Sequence, residues 1–376
     1  MELTSGTGTR SRWYRRASPV TGGTGTECAG KPPRAGTIGS PMNPRDRLER
    51  PIHDLRISVT DRCNFRCSYC MPAEIYGRDF AFLPRSEVLT FEEVVRLARV
   101  FAGLGAEKLR ITGGEPTVRH DLPDLVRGLA AVEGTRDLAM TTNGSNLGRL
   151  ARPLAEAGLR RVSVSLDALE EATFARMNGV HFPVARVLEG IAAAKAAGLE
   201  PIKVNTVVRR GVNEDAIVPL ARWARDEALV IRFIEFMDVG TTNGWRTEDV
   251  VTADEILARV DAVMPLEPVP PTYPGEVADR YRYRNGSGEL GVIASVTRPF
   301  CDACTRARLS ADGHLYLCLF AATGRDLKTP LRAGAGDDQL RELVAAAWTA
   351  RDDRYSERRS EATVPGRRVE MFAIGG

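Results

Sequence analysis

The chain has 376 residues, enough for two domains or one large α/β unit, and a net charge of only +3. So small a charge makes no electrostatic case for nucleic acid, and no apolar run is long enough to span a bilayer. Seven cysteines, six of them in two tight triplets, do not suit a secreted disulfide framework and point instead to metal ligands in a reducing compartment.

Residues 1–44 are rich in Gly, Thr, Ser, Arg and Pro and show no apolar periodicity. Such a segment cannot bury a core and reads as a disordered leader. Its Arg-rich, acid-poor character also fits a transit peptide, and Met42 offers an alternative start. Cys28 stands alone there and is given no role.

Residues 45–265 are expected to form one unit, in which from Leu55 the chain alternates short β runs with helical stretches. The strands are expected at 55–60, 108–112, 138–142, 161–167, 201–208 and 229–236. Amphipathic helices are expected near 91–103, 121–133, 146–157, 184–197 and 214–227. Six β-α repeats imply a parallel sheet with right-handed crossovers. Parallel strands covered on both faces read as continuous apolar runs. These do not. Leu55, Ile57 and Val59 alternate with Arg56, Ser58 and Thr60, and Leu109 and Ile111 with Arg110 and Thr112. Val162 and Val164 alternate with Ser163 and Ser165, and Ile202 and Val204 with Lys203 and Asn205. Side chains on a strand switch faces with period two. One face therefore packs on helices while the other is polar and partly cationic, as around a wet or ligand-filled lumen.

Within this unit Cys63, Cys67 and Cys70 form a C-x-x-x-C-x-x-C run. A four-iron cluster normally takes four thiolates. Three would leave one iron open to a small molecule. Zinc is an alternative, though it usually wants four ligands. The spacing i, i+4, i+7 also matches three buried cysteines on one helical face. Gly113-Gly114-Glu115-Pro116 ends the second strand, and its two glycines let the backbone approach a ligand closely.

Pro265, Pro268, Pro270, Pro271 and Pro274 separate this unit from a C-terminal region, 266–376. That region has β-like segments around 279–284 and 290–296 and a helical stretch at 338–351. It carries Cys301, Cys304 and Cys318, a C-x-x-C-x13-C pattern. No histidine sits at a convincing distance for a zinc knuckle; His314 is the weak candidate, and His53, His120 and His181 are scattered. Arg306 and Arg308 follow Cys304 at alternating positions. With Arg56, Arg110 and Lys203 they make five cations that can converge on one cavity. Arginine forks match phosphate oxygens, so an anionic, phosphorylated ligand is expected.

Together, the ordered motifs resemble the molybdenum cofactor biosynthesis protein A family of radical S-adenosylmethionine (SAM) enzymes, the GTP 3′,8-cyclases. They are Ser58–Cys67, Tyr69–Pro72, Arg110–Pro116, Thr141–Gly144, Ser163–Asp167, the second triplet and the terminal Gly-Gly. The resemblance implies an incomplete (β/α)6 barrel closed on its open side by a C-terminal α+β region. It implies two 4Fe–4S clusters, with Cys63, Cys67 and Cys70 holding the SAM cluster and Cys301, Cys304 and Cys318 the second, which binds guanine. Tyr69, Gly114, Ser165 and Met237 occupy positions that contact SAM. Arg56, Arg110, Thr141, Lys203, Arg306 and Arg308 occupy positions that contact GTP. Gly375 and Gly376 occupy the tail that enters the active site. Thr305 departs from the family, where asparagine is commoner, and the first forty-odd residues have no counterpart.

The implied reaction is conversion of GTP to 3′,8-cyclo-7,8-dihydro-GTP, the first step of molybdenum cofactor biosynthesis. The implied setting is cytoplasmic. A flavodoxin- or ferredoxin-type reductant precedes the reaction and cyclic pyranopterin monophosphate synthase follows it; a homodimer is compatible with the family. Two other readings stay open on the residues alone. One is a peptide-modifying radical SAM maturase, which usually carries more C-terminal cysteines. The other is a non-enzymatic iron–sulfur electron-transfer protein, which has no need of the Gly-Gly-Glu-Pro turn or the cationic lumen.

Overall fold

The computed structural model describes residues 43–359 and 368–376. The expectations for residues 1–42, including the leader and Cys28, lie outside the described residues. Just beyond them the chain is already packed, for Asp46 and Arg50 are buried.

Six strands carry the repeats: β1 Asp54–Ser58, β2 Lys108–Thr112, β3 Asp137–Thr142, β4 Arg161–Ser165, β5 Lys203–Val208 and β6 Val230–Glu235. Each pairs in parallel with the next. The expected helices form at Phe91–Ala102, Leu122–Ala130, Leu147–Glu156, Val184–Ala196 and Ile217–Asp226. The first shows how local sequence sets a boundary. Thr90 Oγ1 accepts from Glu93 N at 3.2 Å and the Glu93 carboxylate accepts from Thr90 N at 2.8 Å, a reciprocal cap that starts the helix.

Two further helices, Glu171–Asn178 and Ala253–Asp261, were not expected from periodicity. At eight and nine residues each carries little more than two turns of pattern. Their starts are nevertheless capped: Glu170 accepts from Ala172 N and Thr173 N, and Thr252 forms a capping box with Glu255.

The C-terminal region adds strands to both edges of the six. β7 Leu266–Val269, β8 Asp279–Tyr283 and β9 Glu289–Ile293 form an antiparallel set, and β9 joins β6 in parallel. β10 Arg306–Leu309 joins β1 in parallel, followed by antiparallel β11 His314–Tyr316 and β12 Arg325–Asp326. The order is β12-β11-β10-β1-β2-β3-β4-β5-β6-β9-β8-β7. β12 and β7 are not paired with each other, so the sheet is open among the described residues. The proline-rich stretch contributes the edge strand β7, where the missing N–H of Pro268 is tolerated. The expected C-terminal helix forms at Asp337–Thr349.

The alternation seen in the sequence sorts the faces. Leu55, Ile57, Leu109, Ile111, Val162, Val164, Val204 and Ile231 are at most 1% exposed and form the core with the helices. Arg56, Arg110, Ser163 and Arg232 face the other way and line a cavity. Among the described residues no helix is long and apolar enough to cross a membrane.

Candidate active site

The segment Cys63–Cys70 is loop and turn, not helix, which removes the reading of three cysteines on one helical face. Cys70 N and Met71 N both bond to the Cys67 carbonyl, at 2.9 and 2.8 Å. The loop is clamped from two sides. On one side the Gly-Gly turn docks: Gly114 N donates to Thr60 O and Glu115 N to Arg62 O, each at 2.8 Å. A Cβ at Gly114 would lie 2.3 Å from the Arg62 carbonyl oxygen, so only glycine fits. From the sequence these glycines are expected to admit a ligand; the neighbour they admit here is the cysteine loop. On the other side Arg66 N donates to Asn178 O at 2.8 Å, at the end of the helix that periodicity missed. Gly179, at φ +66°, ends that helix, and a Cβ there would meet Arg66 O at 2.0 Å.

Glu115 is 1% exposed and accepts from Thr117 N, Thr117 Oγ1, Thr142 Oγ1 and Asn143 N at 3.0, 2.6, 2.7 and 2.7 Å. It ties the turn to the end of β3. Asn143 in turn reaches Asn64 Oδ1 at 2.9 Å.

Burial pushes the Cys63 thiol up to about 12 and the Cys67 and Cys70 thiols up as well. Such thiols are poor free nucleophiles and become thiolates on meeting a metal. In the second triplet burial also pushes Cys318 up, to about 11. Cys304 differs. Burial raises it, but Arg306 and Arg351 outweigh burial and bring it to about 6. All six cysteines of the two triplets are free thiols and all line a single cavity of about 290 Å³. The donor set suits soft-metal clusters. Among the described residues no three His, Cys, Asp or Glu side chains close on a single metal ion, and His314 does not line the cavity. A cluster spreads its thiolates around several irons and does not need that closure.

Between the triplets lies a cationic wall built by register. Arg56 is the direct partner of Arg308 on β10 and of Arg110 on β2. Arg306, Asp54 and Lys108 are partners in the row below. Burial, then Arg308, Arg110 and Arg306, hold the Arg56 guanidinium well below its usual range. Burial and Arg306 bring Arg308 to about 10. Like charges stacked out of water are unfavourable alone and await anions.

The residues expected to contact SAM, Tyr69, Gly114, Ser165 and Met237, line this cavity. Tyr69 OH donates to Asp167 at 3.0 Å, and burial brings the Asp167 carboxyl up to about 7. Of the residues expected to contact GTP, Arg56, Arg110, Thr141, Arg306 and Arg308 line it too. Arg110 Nη1 is held by Thr141 Oγ1 and Ser163 Oγ, both at 3.2 Å. Lys203 belongs to the same charge cluster but does not line the wall; burial and Arg232, Arg161 and Arg110 bring it to about 7.

The tail reaches the same place. Met371–Ile374 is a short helix, Gly376 lines the cavity, and the Gly375 carbonyl accepts from Arg308 and from Arg56, the latter at 3.4 Å. Gly375 has φ +67°, and a Cβ there would lie 1.9 Å from Thr112 Oγ1.

Some lining residues escaped the sequence reading. Lys108 and Arg232 sit on inward positions of their strands, a signal present in the same alternation that exposed Arg110. Lys108 Nζ bonds to Asp54 and to the Tyr273 hydroxyl, both at 2.8 Å, so the proline-rich stretch also reaches the site. Arg351 lies just beyond the helix Asp337–Thr349 and carries no local signal.

Two family models match the chain: the radical SAM superfamily over residues 57–224 and molybdenum cofactor synthesis C over residues 229–357. The chain is similar to the GTP 3′,8-cyclase of Acidothermus cellulolyticus, with 55% identity over 88% of this chain and 99% of the relative. It is 49% identical to that of Staphylococcus haemolyticus, over 88% of this chain and 98% of the relative. Its fold is like that of Streptococcus suis SuiB bound to S-adenosylmethionine, with TM-score 0.56 and 13% identity over 87% of this chain and 79% of that one. Identity at this level over nearly the whole of its relatives, with the radical SAM and molybdenum cofactor synthesis models in tandem, decides the family: the chain belongs to the GTP 3′,8-cyclases.

Proposed function

We propose that this chain converts GTP to 3′,8-cyclo-7,8-dihydro-GTP in the first step of molybdenum cofactor biosynthesis, using two 4Fe–4S clusters and SAM. The observation that carries the reading is the single cavity into which both cysteine triplets and the cationic wall open. Cys63, Cys67 and Cys70 would hold the first cluster, and Cys301, Cys304 and Cys318 the second. When bound, the first cluster and SAM supply the one-electron chemistry that starts the reaction.

The chain's own residues do the rest. Tyr69, Gly114, Ser165 and Met237 form the SAM side of the cavity. Arg56, Arg110, Arg306 and Arg308 hold the triphosphate, Thr141 steadies Arg110, and Lys203 adds to the field behind them. The second triplet fixes the base end. Holding GTP at both ends sets the ribose against the SAM side, and orientation of this kind is worth several orders of magnitude in rate. The tail, with Gly375 bonded to Arg56 and Arg308, closes the site from water.

Buried thiols that must stay reduced suit the cytoplasm, with a flavodoxin- or ferredoxin-type reductant and cyclic pyranopterin monophosphate synthase as the next enzyme. The test is anaerobic incubation of the iron-loaded protein with SAM, dithionite and GTP, followed by mass analysis of the nucleotide. Cyclised nucleotide is expected. SAM cleavage without any change in GTP defeats the substrate, and zinc as the stoichiometric metal at the second triplet defeats the second cluster.

A further inference from the structure

A buried ion network backs the second cysteine loop. Asp46, Arg50 and Arg351 are each 3% exposed. The Asp46 carboxylate accepts from Arg50 Nε at 2.6 Å and from Arg351 Nη1 at 3.2 Å. Arg50 donates onward to the Cys301 carbonyl. Arg351 Nη1 donates to the Cys304 carbonyl at 2.7 Å, and Nη2 to Cys304 Sγ at 3.2 Å. One carboxylate therefore orients an arginine on each end of the C-x-x-C loop.

Trp348 seals the network. Arg351 stacks over its ring at 4.6 Å, and its Nε1 donates to the Arg50 carbonyl at 2.8 Å. From the cavity side Arg306 also reaches the Cys304 sulfur, with Nε at 3.3 Å and Nη2 at 3.2 Å. The charges do not balance here. Asp46 serves two guanidinium groups, and Asp353 comes only to 3.8 Å from Arg351. Arg50 Nη2 and Arg351 Nε are buried with no hydrogen-bond partner among the described residues. Buried cations with spare donors are costly unless an anion completes the site.

We propose that Arg351, anchored by Asp46, is a positioning residue for the second cluster: it fixes Cys304 and raises the cluster's reduction potential by donating to its sulfur. The proposal rests on the Cys301, Cys304 and Cys318 triplet holding a cluster. Hydrogen bonds to ligand sulfur and nearby positive charge stabilise the added electron. The planar fork is essential, because one side chain must reach a carboxylate, a carbonyl and a sulfur together. Lysine would keep the charge and lose the fork.

The test uses full-length protein carrying Cys63→Ala, Cys67→Ala and Cys70→Ala, loaded with iron and sulfide, so that only the second cluster is present. Its potential is read by a redox titration followed by electron paramagnetic resonance. Arg351→Gln is expected to lower the reduced-to-oxidised ratio at fixed potential at least tenfold, about 59 mV for one electron. Arg351→Lys is expected to move it the same way by less. An unchanged midpoint in both variants with iron retained overturns the proposal. Loss of iron from both variants with an unchanged thermal melt upholds the fixing of Cys304, whereas loss of iron together with a lowered melt overturns the proposal and leaves the network a scaffold. Absence of iron from the parent triple variant defeats the second-cluster reading itself, which is a separate result.

Discussion

Arg56 and Arg308 are direct register partners across the parallel β1–β10 pair, and both donate to the carbonyl of Gly375. Two guanidinium groups are thus held side by side, with Arg110 next in the row. In the ligand-free protein they repel one another, and a single tail carbonyl offsets little of that. Arg56→Ala or Arg308→Ala is therefore expected to leave the ligand-free melting temperature unchanged or raised. GTP affinity should fall about tenfold or more, the worth of a charge-assisted hydrogen bond. Calorimetric melting with and without GTP checks both halves. A lowered melting temperature without GTP would instead mark these arginines as structural.

Lys203 gives the site a pH dependence. Burial, then Arg232, Arg161 and Arg110, hold it at about 7, against about 10.4 in an unfolded chain. Between these values the unfolded chain binds more protons than the folded one. Ligand-free stability should therefore rise with pH from about 7 to about 10, and Lys203→Met should flatten that rise. A triphosphate at the proposed site would favour the charged amine, so GTP binding is expected to take up a proton above pH 7 and to weaken as pH rises. Binding calorimetry in two buffers of different ionisation heat measures the uptake.

The Gly-Gly-Glu turn separates cluster assembly from stability. Gly114→Ala places a methyl group against the Arg62 carbonyl and should undock the first cysteine loop. Iron bound at the first site should fall at least by half, while the second site keeps its iron. Glu115→Ala acts differently. It strands Thr117 N and Asn143 N in a buried site, at about 1–3 kcal/mol each. Chemical denaturation should show a loss of roughly 2–6 kcal/mol. Iron analysis of site-separated variants and unfolding curves tell the two apart.

Removal of Gly375 and Gly376 frees Arg56 and Arg308 from the tail. GTP affinity should hold or tighten, because a competing acceptor is gone. Cyclised product should fall by roughly a hundredfold, the scale of losing orientation in a site. Single-turnover product analysis beside equilibrium GTP binding checks the split. Normal product from the truncated chain would dismiss the tail from the reaction.

Much of the fold was legible in the chain. The alternation of Leu55, Ile57 and Leu109, Ile111 with Arg56 and Arg110 places those arginines on the inner face, because a strand's pleat has period two. The same rule also covers Lys108 and Arg232, which were passed over. The helix Glu171–Asn178 was not legible, because eight residues carry too little pattern. Yet its last turn holds Arg66 and with it the first cysteine loop.

By itself the sequence determined the two cysteine triplets, the inward cations and the Gly-Gly turn, since ligand chemistry and strand period are local properties. Only the tertiary structure decided what these groups meet. Local pattern does not announce that β10 would lie beside β1, some 250 residues away, and so bring Arg308 against Arg56. Nor does it announce that Asp46 and Arg351, 305 residues apart, would close behind Cys304. Such pairings are set by which strands and helices pack together, and that choice is made by the burial of the whole core.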